Sequence, residues 1–206
     1  MATAQKSRPV ITLVNGSLGG SSGNTARLLS GLLAELNASC EVRALHLAET
    51  VCSAAEIQAL LGGSDGFVFA TGTYWDSWGS PLQRFLEDAT DWEASDLWLG
   101  KPAAVVVSMH SVGGKEVLSR LQGVLSTLGV LIPPMSGMTY SLANHLALQS
   151  REKDHQADLW QLDDLKCIAH NLVIALELRA AQRESKKADW QSWPIDSSDP
   201  KRIWLK

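Results

Sequence analysis

The chain has few cysteines and no long apolar run. Its three cysteines, Cys40, Cys52 and Cys167, lack CxxC or Cys/His spacing, which argues against a disulfide framework or an iron–sulfur site. No apolar stretch approaches the roughly 18 residues that span a bilayer. The first ten residues also lack the apolar centre of a secretion signal. We therefore expect a cytoplasmic protein that does not associate with a membrane.

Positive charge is also scarce. Lys and Arg total 18 against 22 Asp and Glu, giving a formal net charge of −4, and the basic residues are scattered. Nucleic acid is usually bound by clustered Lys and Arg, so we expect no nucleic-acid partner. His46, His145, His155 and His170 show no spacing typical of metal ligands, so no metal site is expected.

The remaining composition, 45% hydrophobic and 19% charged over 206 residues, is typical of a globular protein with a sizeable core. Short β-branched apolar runs alternate with amphipathic stretches. We predict strands at 10–14, 41–47, 66–70, 103–107 and 130–132, and helices at 25–36, 54–61, 81–89, 117–128 and 162–179. This alternation predicts an α/β fold, a doubly wound five-stranded parallel sheet with helices on both faces. One domain is expected over 1–206, with a core of about 8–184 and a Trp-rich tail at 185–206. Segment 136–159 fits no predicted element.

The stretch NGSLGGSSGNT, residues 15–25, lies between the first predicted strand and the first helix. Free backbone N–H groups and the helix dipole favour an anion at such a position. The pattern is neither GxGxxG nor GxxxxGK[ST] and contains no lysine, which favours a monoester phosphate held by neutral donors. A flexible turn with a Ser or Asn N-cap is the structural alternative. The candidate donors are Ser17, Ser21, Ser22, Gly23, Asn24 and Thr25.

Two further loops follow buried strands, TGTYWDSWGSP at 71–81 and SMHSVGG at 108–114. The carboxyl ends of parallel strands meet at one edge of a sheet, where ligands bind in such folds. The first loop offers hydroxyls and aromatic faces, and the second offers small residues with free amides. Together the three loops suit a phosphorylated planar heterocycle. The candidates are Thr73, Tyr74, Trp75, Asp76, Ser77, Ser108, His110, Gly113 and Gly114.

In these loops the sequence resembles the NAD(P)H-dependent FMN reductases and related quinone reductases, which have a flavodoxin-like fold. GSLGGSSGNT is similar to the phosphate loop of that family, GTYWDSWGSPLQRFLE follows the spacing of its second loop, and SMHSVGGKEVLSRL followed by LGVLIPP matches its third. The resemblance covers about residues 10–134. Gly72 stands where proline is usual and Gln83 where lysine is usual, so we expect a looser loop beside the flavin ring. Trp78 is an addition to the pattern.

The resemblance implies that FMN is the cofactor and NAD(P)H the co-substrate. It places the phosphate at Ser17 and residues 22–25, and the ring against Tyr74, Trp75 and the 108–114 loop. NAD(P)H would pass a hydride to the flavin, which then reduces a quinone, free flavin or similar small acceptor. His110 is the only side chain with a candidate catalytic role, as a donor to reduced flavin or to a quinone oxygen; the alternative is a polar loop residue.

Two other functions fit the same fold. One is a flavodoxin-type carrier that passes single electrons to a partner protein, and the other is a non-catalytic interaction protein that retains the fold. For the enzyme we expect a homo-oligomer, either a dimer or a tetramer. We also expect the tail tryptophans Trp190, Trp193 and Trp204 to pack across the domain or onto a second subunit.

Overall fold

A five-stranded parallel sheet forms the centre of the computed structural model, which describes residues 7–150, 159–185 and 189–193. Its strand order is β2-β1-β3-β4-β5. The strands are β1 (Val10–Asn15), β2 (Glu41–His46), β3 (Gly66–Gly72), β4 (Ala103–Met109) and β5 (Gly137–Ser141). All four neighbouring pairs are parallel. The predicted α/β, flavodoxin-like, doubly wound fold is therefore confirmed.

The helices follow the predicted alternation, with one addition. They are α1 (Asn24–Leu36), α2 (Ala54–Gly62), α3 (Ser80–Asp88), α4 (Gly114–Leu128), α5 (Leu142–Gln149) and α6 (Leu165–Ser185). Helix α5 was not predicted and follows β5 directly. Helix α6 begins after a 3₁₀ turn at Leu162–Asp164. None of the helices in the described part of the chain is long and apolar enough to cross a membrane.

The core lies on both faces of the sheet, because β3 is buried along its whole length and β4 over its first five residues. On one face, alternate side chains of β1, β3 and β4 pack against α1 and α6. The strands contribute Leu13, Val68 and Val106, and the helices contribute Leu32 and Leu172. On the other face Phe67 and Phe69 pack with Trp98 of the segment before β4 and with helices α3 and α4. The Phe67 and Trp98 rings are 5.1 Å apart. These two layers hold the parallel strands in place, and the carboxyl ends of the strands lie at one edge of the sheet.

The fifth strand is not where the apolar pattern predicted it. Leu131 forms only an isolated bridge with Pro102, and Pro133 and Pro134 follow closely. The chain then turns at Met135, whose φ is +53°, and β5 pairs with β4 from Gly137 onward. An edge strand needs only one apolar side along its length, so GMTYS lacks the continuous apolar run of a central strand. The prediction at 130–132 is wrong, and segment 136–159 contains both β5 and α5.

Candidate functional site at the carboxyl edge of the sheet

The loop between β1 and α1 is fixed by the last side chain of β1. The Oδ1 atom of Asn15 accepts from the Ser17 N–H at 3.1 Å, and its Nδ2 donates to the Gly20 carbonyl at 2.8 Å. Asn15 is fully buried. Gly20 has a φ of +51°, a backbone conformation that favours glycine. The loop therefore has a defined shape and is not a flexible linker.

Several donors of this loop are left free by these bonds. Gly23 precedes α1 in an extended conformation and provides no side-chain cap, so the first N–H groups of α1, beginning at Asn24 and Thr25, have no intrahelical partner. The Ser17 side chain is 1% exposed, and its Oγ has no hydrogen-bond partner among the described residues. A buried hydroxyl without a partner costs free energy unless a ligand or water supplies one.

The other two serines of the loop are already engaged. Ser21 donates its N–H at 2.7 Å and its hydroxyl at 2.9 Å to one carboxylate oxygen of Glu49. These two bonds hold the pKa of Glu49 below its usual value. The Ser22 hydroxyl donates to the Gly19 carbonyl at 3.2 Å. Among the sequence-predicted donors, the free ones are thus Ser17 and the start of α1.

The loop after β3 forms a tight hairpin. Tyr74 and Ser77 exchange two backbone hydrogen bonds, of 2.8 and 3.0 Å, across Trp75 and Asp76. Both central residues have positive φ, +50° and +57°. The Tyr74 hydroxyl accepts from the Leu18 N–H at 3.2 Å, which joins this hairpin to the β1–α1 loop. Trp75 is completely exposed.

The two departures from the family pattern flank this loop, Gly72 at the end of β3 and Gln83 in α3, and each has a contact partner. A Cβ added to Gly72 would lie 3.0 Å from the Tyr74 ring, so the ring uses the space that glycine leaves. The Trp78 Nε1–H donates to Gln83 Oε1 at 2.7 Å. Arg120 of α4 lies over the Trp78 ring at 4.9 Å and donates to the Asp76 carbonyl at 3.3 Å. These contacts do not support the expectation of a looser loop.

The loop after β4 lies against the hairpin. Gly113 has a φ of +84°, and a Cβ there would be 2.0 Å from an Asp76 carboxylate oxygen. His110 is exposed, and its ring makes no hydrogen bond with a described residue, whereas its carbonyl accepts from the Ala143 N–H at 3.3 Å. Gly114 is buried, and its N–H points to the Met109 sulfur at 3.2 Å.

The predicted residues of the three loops are therefore neighbours. Besides the Leu18–Tyr74 bond and the Asp76–Gly113 contact, the Thr25 and Ser108 hydroxyls are 2.7 Å apart and join α1 to β4. Thr73 Oγ1 is a second buried hydroxyl without a partner among the described residues. Near these loops the described part of the chain holds no group of three or more His, Cys, Asp or Glu that could bind a metal ion.

Sequence reasoning missed three residues of this region. Asn15 shapes the phosphate loop, Glu49 engages Ser21, and Arg120 braces the hairpin. A polar residue at the end of a buried strand is a signal for Asn15. Glu49 and Arg120 reach the loops from distant parts of the sequence, and no local pattern indicates them.

Residues 9–138 match the family model of the NADPH-dependent FMN reductases. The chain belongs to this family. The resemblance on which the sequence analysis relied is thereby confirmed, and so is FMN with NAD(P)H as the cofactor system of the family. Comparison with curated proteins gives no significant match.

Solved structures share the fold at low sequence identity. An oxidoreductase from Corynebacterium diphtheriae is 17% identical with a TM-score of 0.64, over 84% of this chain and 99% of the other. FerB, an NAD(P)H:(acceptor) oxidoreductase from Paracoccus denitrificans, is 19% identical with a TM-score of 0.63, over 82% and 98%. The flavodiiron core of Flv1 from Synechocystis sp. PCC6803 is 19% identical with a TM-score of 0.61. The match covers 85% of this chain but only 38% of that protein.

The free groups at this edge fit FMN. A phosphate needs convergent donors, which the Ser17 hydroxyl and the first amides of α1 supply. Glycine at position 19 leaves room that a side chain would fill, since a Cβ there would lie 2.8 Å from Gly23. Residues 15–25 contain no Lys, Arg or His, so the only positive charge they offer is the partial charge of the helix dipole. This suits a phosphate monoester held by neutral donors.

Proposed function

We propose that this protein is an FMN-dependent NAD(P)H oxidoreductase that reduces a quinone, free flavin or similar small acceptor. The observation that carries the proposal is the Ser17 hydroxyl, which is buried in the loop that opens α1 and has no hydrogen-bond partner in the described part of the chain. Membership of the NADPH-dependent FMN reductase family supports the same assignment.

The phosphate-binding residues of the proposal are Ser17, Gly23, Asn24 and Thr25. The hydroxyl of Ser17 and the first N–H groups of α1 donate to phosphate oxygens, and the positive end of the helix dipole favours their charge. Ser21 and Ser22 have a supporting role, because their hydroxyls are used by Glu49 and Gly19. Thr25 fixes the helix start to β4 through Ser108.

The ring-binding residues of the proposal come from the other two loops. Thr73, Tyr74, Asp76 and Ser77 of the hairpin and Ser108, Gly113 and Gly114 of the β4–α4 loop form the walls. When bound, FMN supplies a centre that accepts a hydride from NAD(P)H and passes electrons to the acceptor, while the protein supplies orientation and electrostatics. The exposed His110 ring, which has no hydrogen-bond partner among the described residues, donates a hydrogen bond to an oxygen of the reduced acceptor.

An absorbance experiment tests the proposal. Purified protein mixed with FMN and freed of excess ligand should keep the visible absorbance band of the oxidised flavin. Anaerobic NADPH or NADH should bleach it, and a naphthoquinone should restore it. A protein that retains no flavin contradicts the proposal. Retained flavin that neither NADPH nor NADH reduces would favour the electron-carrier alternative, and retained flavin with no redox activity at all would favour an interaction protein. A cytoplasmic location and a homo-oligomeric state stay predictions.

A further inference from the structure

The β1–α1 loop depends on a buried amide that is shared with a histidine. The Asn15 side chain donates from Nδ2 to the Gly20 carbonyl at 2.8 Å and accepts at Oδ1 from the Ser17 N–H at 3.1 Å. Its Nδ2 also lies 3.1 Å from Nδ1 of His46, the residue opposite Asn15 at the end of β2. The amide that shapes the loop is therefore in direct contact with a titratable ring.

The backbone partners decide where the protons of this pair lie. Reversing the amide would set its NH₂ group against the Ser17 N–H and its oxygen against the Gly20 carbonyl. Nδ2 therefore faces both Gly20 and His46. An amide NH₂ group has two hydrogens to donate and does not accept. Nδ1 of His46 is thus the acceptor, and the neutral ring carries its proton on Nε2.

A second proton on the His46 ring conflicts with this arrangement. Protonation turns Nδ1 into a donor, so two N–H groups would face each other across 3.1 Å. The ring then has to leave the Asn15 side chain, which loses the acceptor for one of its two amide hydrogens. Asn15 is fully buried, and a buried donor without an acceptor is costly. The contact is therefore stable only while the ring is neutral.

The charges around His46 favour the departure of a protonated ring. Strand β2 packs against β1 and α1, and residues 10–25 of β1 and the following loop contain no charged side chain. On α1, Arg27 and Glu35 are both exposed. Glu49, three residues after His46, interacts electrostatically with the ring. A positively charged ring therefore gains free energy by turning from the amide towards Glu49.

We propose that His46 is a positioning residue for the phosphate group, which acts through Asn15 and does so only while its ring is neutral. The neutral ring holds the amide that shapes the β1–α1 loop, and the protonated ring releases it. FMN binding should thus weaken as the medium becomes acidic. This inference rests on the proposed function, because it concerns the regulation of the same phosphate site.

The charge of the protonated ring acts in the opposite direction, but it is the smaller effect. A cation near the loop attracts a phosphate. The His46 ring, however, is half-buried and is separated from the loop by the Asn15 side chain, so solvent and distance weaken the attraction. The hydrogen bond to Asn15 is lost in a buried position, and this loss decides the sign.

The test compares the wild type with His46→Gln, His46→Leu and the control His145→Gln. Glutamine offers an amide oxygen to Asn15 at every pH, whereas leucine offers no acceptor. His145 is matched to His46, because it is also half-buried and its Nδ1 also lies 3.1 Å from a side chain, the Tyr140 hydroxyl. It lies beyond β5, at the other end of the sheet from β2.

The first readout needs no flavin. The flavin-free protein is titrated by NMR from about pH 8 to about pH 5.5, the range in which histidine changes its charge. At the alkaline end, Nδ1 of His46 should show the nitrogen chemical shift of an unprotonated ring atom. The backbone amide signal of Ser17 should then move together with the charge of the His46 ring. In His46→Gln this signal should stay in place.

The second readout is the Kd for FMN over the same pH range. The phosphate of FMN itself titrates at about pH 6, so each Kd is divided by that of His46→Gln at the same pH, which cancels this contribution. For the wild type and for His145→Gln the ratio should be about 1 at the alkaline end and rise roughly two- to tenfold at the acidic end, as expected for one buried hydrogen bond. For His46→Leu it should be raised throughout and independent of pH.

Several results would overturn the role of His46. They are a wild-type ratio that stays constant or falls as the pH falls, an His46→Leu variant that binds FMN as tightly as His46→Gln, and a neutral ring whose proton lies on Nδ1. Melting temperatures identify a variant that fails to fold, and the NMR titration of the wild type then decides alone. A wild type that binds no FMN refutes the proposed function instead, and the same titration separates the two failures.

Discussion

At the scale of single residues, the departures from the family pattern come in pairs. Gly72 lacks the side chain that would collide with the Tyr74 ring, and the ring in turn brings its hydroxyl to the Leu18 N–H. Gln83 accepts from the additional Trp78. A change at one position is therefore accommodated by a contact at its partner, and the hairpin keeps its shape without the usual proline and lysine.

The Gly72–Tyr74 pair predicts a coupled mutational effect. Gly72→Ala should lower the free energy of unfolding by about 1–3 kcal/mol, because the new Cβ overpacks against the ring. In a Tyr74→Ala background the same change should cost clearly less. Urea unfolding of the four proteins of this cycle measures the coupling, and additive effects would show that the ring does not occupy this space.

Replacing Ser17 by alanine should weaken FMN binding without lowering the stability of the flavin-free protein. Ser17→Ala removes a buried hydroxyl that has no partner among residues 7–150, 159–185 and 189–193, so the melting temperature of the flavin-free protein should stay the same or rise. The affinity for FMN should fall roughly 10- to 100-fold through the loss of a hydrogen bond to a charged group. Ser22→Ala is the control, because its hydroxyl donates to Gly19. Equal losses of FMN affinity in the two variants would speak against the proposed phosphate position.

At the scale of elements, the apolar pattern predicted β1 to β4 and the helices between them, because β1, β3 and β4 are short continuous apolar runs and β2 alternates polar and apolar residues as a half-covered strand does. It failed at β5, where only one strand neighbours GMTYS and where Leu131, although apolar, makes a single bridge. The three site loops were predictable from their places after buried strands. Glu49 and Arg120 were not, since their contacts depend on how distant elements pack.

A second element-scale contact lies at the amino edge of the sheet. The segment 189–193 places Trp190 against Gly100, where φ is +67° and a Cβ would lie 2.1 Å from the indole. Trp190 and Trp193 line a cavity of about 390 Å³ with Leu99 and residues 126–127 and 129–132. Part of the expected packing of the tail across the domain is thus visible, whereas Trp204 lies outside the described residues.

Trp190→Ala tests this contact. It should lower the free energy of unfolding by roughly 1–3 kcal/mol, because about half of the indole is removed from water in this position. The Kd for FMN should not change, since the contact is at the opposite edge from the candidate site. Calorimetry and a flavin titration measure the two effects. A weakened FMN affinity at unchanged stability would contradict the assignment of the two edges.

At the scale of the whole molecule, one buried cation affects how stability depends on pH. Lys101 is 5% exposed, its Nζ lies 5.6 Å from the centre of the Phe67 ring, and it forms no ion pair with a described residue. Burial, followed by the neighbouring charge of Arg179, lowers its pKa to about 8. The two edges of the sheet thus differ: the carboxyl edge offers free donors, and the amino edge carries a buried charge.

The lowered pKa of Lys101 predicts the direction of a pH effect. Between pH 8 and the ordinary lysine value of 10.5, the unfolded chain binds more protons at this position than the folded chain does. The contribution of Lys101 to stability should therefore rise with pH across this window. Lys101→Met should raise the melting temperature most at pH 7 and least near pH 10. A difference between the two proteins that does not depend on pH would contradict the lowered pKa.

The claim on which the molecule's proposed chemistry depends is that neutral donors at the start of α1, together with the Ser17 hydroxyl, hold a phosphate dianion. Riboflavin and FMN share the ring and the ribityl chain and differ only in that phosphate. The most direct test is to titrate the flavin-free protein with each flavin and to monitor binding by the quenching of flavin fluorescence. The account predicts that FMN binds at least about 100-fold more tightly than riboflavin, as expected for several charge-assisted hydrogen bonds. Equal affinities for the two flavins would contradict it.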